Sequence, residues 1–202
     1  MMSVDANADW PRQATPPFPV RRFTVEEYQQ MADAGILTDD HVELLEGWIT
    51  PKMIHNPPHD LAVGLAEEAL RDRLTDAWKT RSQSAITTDD SRPEPDVAVV
   101  RGPLRRYTRQ QPGPADIALI VEIADTSLAR DRGKCPLYAR AGIPAYWIVN
   151  LVGRQVEVYT QPNSAADPPG YSRKAVYEPG DDVPLEVAGQ QPAAIAVDDL
   201  LP

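Results

Sequence analysis

Glu122 sits in an apolar run, IALIVEI, spanning residues 117–123. An ionised carboxylate among such neighbours is costly unless it is paired or binds a cation. Strand side chains alternate, so Val121 and Ile123 share one face while Ile120 and Glu122 share the other. A strand-end Glu facing solvent or an Arg is the plain alternative. Asp96 opens a second apolar run, VAVV, after Pro93-Glu94-Pro95; alone it reads as a strand-start Asp. Two carboxylates at comparable heights on neighbouring strands would suit a hard cation, since Mg²⁺ takes one or two carboxylates, waters and substrate phosphate oxygens. Glu43 is a third candidate, and Glu46, at a turn, is a weaker one. Lys134 follows the Glu122 strand, with Tyr138 one helical turn on. A lysine beside such a cation can orient water and stabilise charge developing on phosphate; its plain alternative is an exposed helix-start Lys.

These residues need elements to hold them. Thr24 and Glu27 form a capping box, Phe23 and Tyr28 a hydrophobic staple, and Gly35 a terminator, which predicts a helix near 25–34. Residues 41–49, HVELLEGWI, read as a hairpin turning at Glu46-Gly47. Asn56-Pro57 starts a second helix, and the stripe Leu61, Leu65, Ala69, Leu70, Leu74, Ala77, Trp78 extends it over roughly 58–78. Strands are expected at 84–88, 96–100, 117–123, 146–151 and 155–160, with weaker ones at 171–177 and 183–187, and a third helix at 133–141. This order describes a mixed α/β domain with one central sheet.

Charge and composition narrow the classes. The 202 residues carry a net charge of −10, which repels nucleic acid overall. The charge is uneven: no Lys or Arg comes after Lys174, whereas Glu178, Asp181, Asp182, Glu186, Asp198 and Asp199 do. Residues 1–20 are polar and Pro-rich and read as a flexible arm on which Trp10 or Phe18 could dock; residues 21–177 read as the domain, and 178–202 as an acidic tail. Between 97 and 115 there is no acid, but Arg101, Arg105, Arg106 and Arg109 stand there, a solvated loop or a phosphate-contacting block. A single cysteine, Cys135, excludes an internal disulfide. No apolar stretch is long enough to span a membrane, and the N-terminus lacks a signal-like pattern, so a cytoplasmic location is expected. His55 and His59 are four apart, but Pro57 and Pro58 intervene, which favours capping or loop roles over a shared helical face.

The segments TVEEY (24–28), HVELLEG (41–47), PEPDVAVV (93–100), LIVEIADTSLARDRGK (119–134) and PLYARAGIPAYWIVN (136–150) together resemble the Uma2 family of the PD-(D/E)XK, restriction-endonuclease-like superfamily. The resemblance covers about residues 23–160. It implies a central mixed sheet flanked by helices, with an αβββαβ core preceded by a helix and hairpin. Asp96 then matches the PD aspartate, Glu122 the acid of the (D/E)XK element, and Glu43 the acid of the ELxxG motif. The lysine expected two residues after Glu122 is replaced by Ala124, and Lys134 on the following helix takes its place. Ala145 stands where the family often has Glu. The Asp131-to-Lys134 spacing is one residue short of the family's, enough to turn Lys134 by ~100° about a helix axis.

The resemblance further implies a Mg²⁺- or Mn²⁺-dependent endonuclease acting on phosphodiester bonds, with DNA as the expected substrate and a homodimer as a possible assembly. Asp96, Glu122 and the backbone carbonyl of Ile123 would hold the metal, Glu43 would assist, and Lys134 would position the water. The alternative is a protein that keeps the fold as a binding or scaffold module and has lost the chemistry, as Ala124, Ala145 and the net charge suggest.

Overall fold

The computed structural model describes residues 19–38 and 41–202. The expected N-terminal arm, with Trp10 and Phe18, lies almost wholly outside them. The described chain runs α1 (Val25–Asp33), β1 (Val42–Leu45), β2 (Trp48–Pro51), α2 (Pro57–Arg71), β3 (Trp78–Ser82), β4 (Val97–Arg101), β5 (Ile117–Ala124), α3 (Leu128–Gly133), α4 (Cys135–Arg140), β6 (Ala145–Asn150), β7 (Gln155–Asn163), β8 (Gly170–Tyr177), β9 (Asp182–Leu185) and β10 (Ala193–Ala196). β3 to β8 form one six-stranded sheet in chain order, antiparallel throughout except for the parallel β5–β6 pair. A parallel pair needs a crossover, and α3–α4 supply it. From α2 to β6 the order is αβββαβ, as the resemblance implied.

Burial separates the sheet faces as the alternation in β5 required. Val121 and Ile123 pack with Trp147, Val149 and α2 on one face, and Ile120 packs with Tyr146, Ile148 and α4 on the other. α1 begins at the capping box, where Glu27 N donates to Thr24 Oγ1 at 3.2 Å and Thr24 N to Glu27 Oε2 at 3.0 Å. The β1–β2 hairpin turns through Glu46 and Gly47 at φ 49° and 77°, the conformation of a primed two-residue turn. A side chain at Gly47 would collide with Arg22. The hairpin is tied to the loop before β4, because Arg92 N donates to Leu44 O at 2.7 Å.

Several elements differ from the sequence expectation. α2 stops at Arg71 rather than near 78, and Trp78 opens β3. Trp78 satisfies a helical stripe and a strand equally well. Its partners are non-local: it pairs with Arg101, whose guanidinium lies 4.8 Å above its ring, and its indole N–H donates to Ala188 O at 3.0 Å. Residues 84–88 form no strand; Gln83 takes a left-handed turn at φ 45°, and the chain then doubles back through Ile86 N to Pro93 O and Thr88 N to Ser91 O. The helix expected at 133–141 is the shorter α4, Cys135–Arg140; an unexpected short helix, α3, precedes it, and the two meet at Lys134. Pro136 lacks the N–H for an i−4 bond, and its ring crowds the Arg132 carbonyl, so the chain tightens there.

The acidic segment 178–202 is not a tail. β9 and β10 pair antiparallel, and Val183, Leu185, Val187, Ile195, Val197, Leu200 and Leu201 are buried in the same cluster as α2. Its six acids all sit at exposed positions. On the opposite face, Glu157 of β7 is fully buried and ion-paired to Arg132 of α3 and, at 2.9 Å, to Lys174 of β8. Among the described residues no helix is long and apolar enough to cross a membrane.

Candidate active site

Four carboxylates and a lysine converge where β4 begins and β5 ends. Asp96 immediately precedes β4, in the rigid frame of Pro93 and Pro95. Its Oδ2 accepts the Ile123 N–H at 2.7 Å and lies 3.3 Å from His59 Nε2 on α2. A strand residue presents its N–H and C=O to the same edge, so the Ile123 carbonyl also faces Asp96. Glu122, two residues before the end of β5, is 3% exposed; its Oε1 accepts Lys134 Nζ at 2.8 Å and the Tyr138 hydroxyl at 2.9 Å. Glu43 reaches in from β1. Its Oε1 accepts Arg130 Nη2 at 2.7 Å, and its Oε2 accepts the Glu94 N–H at 3.1 Å.

The helix break delivers the lysine. Lys134 Nζ lies 3.9 Å from Glu43 and 3.8 Å from Asp131 in addition to its bond to Glu122. The short Asp131-to-Lys134 spacing therefore does not turn it away, because the backbone tightens at Lys134 instead of continuing as a regular helix. Tyr138 sits one turn on and faces the same carboxylate.

Burial governs the electrostatics. Loss of hydration pushes the Glu122 carboxyl up to about 8; Lys134 opposes the rise, and the Asp96 and Asp131 carboxylates add to it. Burial acts against the Lys134 charge, but Glu122, Glu43 and Asp131 outweigh it and hold the ammonium above its ordinary value. Burial also raises Asp131, whose Oδ2 accepts the Ser127 hydroxyl at 2.5 Å.

The donor set suits a divalent cation. Glu43, Asp96, Glu122 and Asp131 face two fixed cations, Lys134 and Arg130, so with all four carboxyls ionised, as a bound divalent cation would hold them, the buried site carries two uncompensated negative charges. Lys52 and Glu94 at the rim neutralise each other at 2.6 Å. Asp96 Oδ1 and Glu122 Oε2 accept no hydrogen bond from a described residue, so both remain available as ligands. All these groups line one cleft of about 370 Å³.

The sequence points to Glu43, Asp96, Glu122 and Lys134, and the fold brings the four together. It does not bring in Arg101, Arg105, Arg106 or Arg109, none of which lines the cleft. Arg101 ends β4 at the opposite end from Asp96 and covers Trp78, while Arg106 pairs with Asp116 at 3.2 Å. Three cleft residues escape the sequence reading. His59 has the look of a capping or loop residue there, although it lies on the buried stripe of α2 with Ala62, Val63 and Ala66. Asp131 stands out only for its spacing, and Arg130, held by Glu43, carries no signal at all.

The sheet is mixed and helix-flanked, and carboxylates at its adjacent strands share one cleft with a lysine from the helix break that follows. The chain belongs to the Uma2 family, whose profile, described as "Putative restriction endonuclease", matches residues 25–197. The fold is similar to the crystal structure of a protein from Anabaena variabilis ATCC 29413, titled a putative nuclease belonging to DUF820. The two share 18% identity and a TM-score of 0.63, over 90% of this chain and 97% of that one. No curated protein matches the chain.

Proposed function

We propose that the protein is a Mg²⁺- or Mn²⁺-dependent endonuclease that hydrolyses phosphodiester bonds in DNA. The observation that carries this reading is the free pair of oxygens, Asp96 Oδ1 and Glu122 Oε2, beside an ammonium fixed on Glu122. Asp96, Glu122 and the Ile123 carbonyl would hold the metal. Such an ion neutralises charge at the scissile phosphate and acidifies a bound water.

The chain's own residues supply the remainder. Lys134 stays protonated because three carboxylates surround it, so it serves as a hydrogen-bond donor to a phosphate oxygen or a water rather than as a base. Tyr138 and Lys134 both bond Glu122 Oε1, which turns Oε2 towards the cleft. Arg130, with its side chain 26% exposed and one edge on Glu43, is the cation placed to meet a flanking phosphate. It takes the role that the sequence suggested for the Arg101–Arg109 block. The negative surface implies weak, salt-sensitive association with DNA.

The test is cleavage of supercoiled plasmid, single-stranded DNA and RNA with Mg²⁺ or Mn²⁺, using wild type, Asp96→Asn, Glu122→Gln and Arg130→Ala. DNA nicking that is abolished in the two acid variants and weakened in Arg130→Ala supports the reading. Nicking unchanged in both acid variants refutes the site, and cleavage confined to RNA refutes the substrate.

A further inference from the structure

We propose a second cation site, distinct from the carboxylate site and formed by His55, His59 and Asp60, that takes a Zn²⁺-class ion. It does not rest on the nuclease reading. The argument starts at His59 Nδ1, a buried ring nitrogen with no hydrogen-bond partner among the described residues. His59 itself is 7% exposed. Its other nitrogen, Nε2, lies 3.3 Å from Asp96 Oδ2. With the proton on Nε2, beside that carboxylate, the Nδ1 lone pair is left 3.7 Å from Asp60 Oδ1.

Two acceptors face each other there, and a carboxylate has no proton to give. A proton on Nδ1 would bridge them poorly, because 3.7 Å exceeds the ~2.7–3.2 Å of a normal N–H···O bond. A metal ion fits better: with bonds of ~2.0–2.1 Å, two ligands of a tetrahedral ion stand about 3.4 Å apart. His55 Nδ1 is 3.8 Å from the same Asp60 oxygen, and the three ligand atoms all lie within 4.8 Å of one another. Small shifts close the triangle.

The surrounding residues hold the site in place. Asn56 caps α2 by accepting the His59 N–H at 3.0 Å, and its amide donates to Asp125 Oδ2 at 2.5 Å just beyond β5. The histidine with a carboxylate behind it has the arrangement that orients imidazole ligands of metals. His55 completes the set from the rim. Its ring stacks on His59 at 4.2 Å, and Gln83 Nε2 lies 3.0 Å from its Nδ1. On binding, this half-exposed ring tilts out of the stack and the Gln83 amide gives way. Two imidazoles and one carboxylate favour Zn²⁺, Co²⁺ or Ni²⁺ over Mg²⁺, which prefers oxygen. Three protein ligands also leave a coordination position open to water.

The test uses tag-free, chelator-treated protein and calorimetric titration with Zn²⁺, with Co²⁺ absorption as a second readout. Four proteins are compared: wild type, the double variant His55→Ala/Asp60→Asn, Glu122→Gln and Asp96→Asn. Wild type is expected to bind a single equivalent at micromolar Zn²⁺. The double variant, which changes only rim residues and whose folding is checked by its melting curve, is expected to lose that binding. Glu122→Gln should keep it, while Asp96→Asn, which removes the carboxylate behind His59, should weaken it roughly tenfold. Three results would each overturn the proposal: no Zn²⁺ uptake by wild type, unchanged uptake by the double variant, or loss in Glu122→Gln matching the double variant. Failure of the nuclease reading would appear instead as absent Mg²⁺ binding and absent cleavage, with Zn²⁺ uptake intact.

Discussion

Glu157→Gln offers a measurement of how far the sheet depends on one buried charge. Glu157 is fully buried and accepts from Arg132, from Lys174 at 2.9 Å and from the Tyr159 hydroxyl at 2.5 Å. Burial opposes its ionisation, yet the Arg132, Tyr159 and Lys174 bonds outweigh burial and bring the carboxyl from 4.5 down to about 2. A folded pKa below the unfolded one means that the unfolded chain binds the proton more readily. The stabilisation is therefore complete above about pH 4.5 and disappears as the pH falls towards 2. The full shift corresponds to about 3 kcal/mol. Both cations are nearly half exposed, so screening reduces this to about 1–2 kcal/mol. Urea unfolding of wild type and Glu157→Gln at pH 7, 5 and 3 tests it. Wild type is expected to be more stable by that margin at pH 7 and pH 5, with the gap narrowing at pH 3. A gap that is constant from pH 7 to pH 3, or that widens in acid, refutes the reasoning.

The packing makes two more perturbations informative. Truncation after Tyr177 removes seven buried apolar side chains, worth on the order of 10 kcal/mol or more by area, against a typical total stability of about 5–15 kcal/mol. The truncated chain is expected to show no cooperative melting transition; a sharp transition near that of the full chain would return 178–202 to the status of a tail. Lys134→Met, studied with a chelator present, breaks a buried pair and is expected to cost about 3–5 kcal/mol at neutral pH. Burial already holds the Glu122 carboxyl up at about 8 with Lys134 opposing it, so loss of the ammonium raises it further, and above about pH 8 the variant's carboxyl keeps a proton that wild type has released. The melting temperature of the variant should therefore fall relative to wild type as the pH rises above about 8, and a relative rise there would refute the assignment.

The legible part of the fold is the part written in short-range pattern. The capping box at Thr24, the turn at Glu46-Gly47, and the alternation that puts Glu122 opposite Val121 and Ile123 are readable because each depends on residues within a few positions. The α2 boundary is not readable, because Trp78 is fixed by Arg101 and by Ala188, far away in sequence. Segment 178–202 misleads for a related reason. The alternation of Val183, Leu185 and Val187 is legible as a weak strand, but the summed charge hides that this strand packs into the core beside α2.

The site shows the same division. A carboxylate in an apolar strand can be flagged from sequence because the energetic conflict is local. Its resolution cannot be read there, since Glu122 is satisfied by residues 12 and 16 positions away across a helix break. The Arg block illustrates the converse. Four arginines without neighbouring acids suggest a phosphate surface, but Asp96 immediately precedes β4 and Arg101 ends it, so the strand that places the acid in the cleft also takes the arginines out of it. Arg130 and His59 reach the cleft by the same logic. One comes after β5 on α3 and the other starts α2, and both are set by where the sheet ends rather than by any motif of their own. Net charge is thus a poor guide to what this cleft binds: its excess of carboxylates over cations is local, and a bound divalent cation would offset it while leaving Arg130 at the rim.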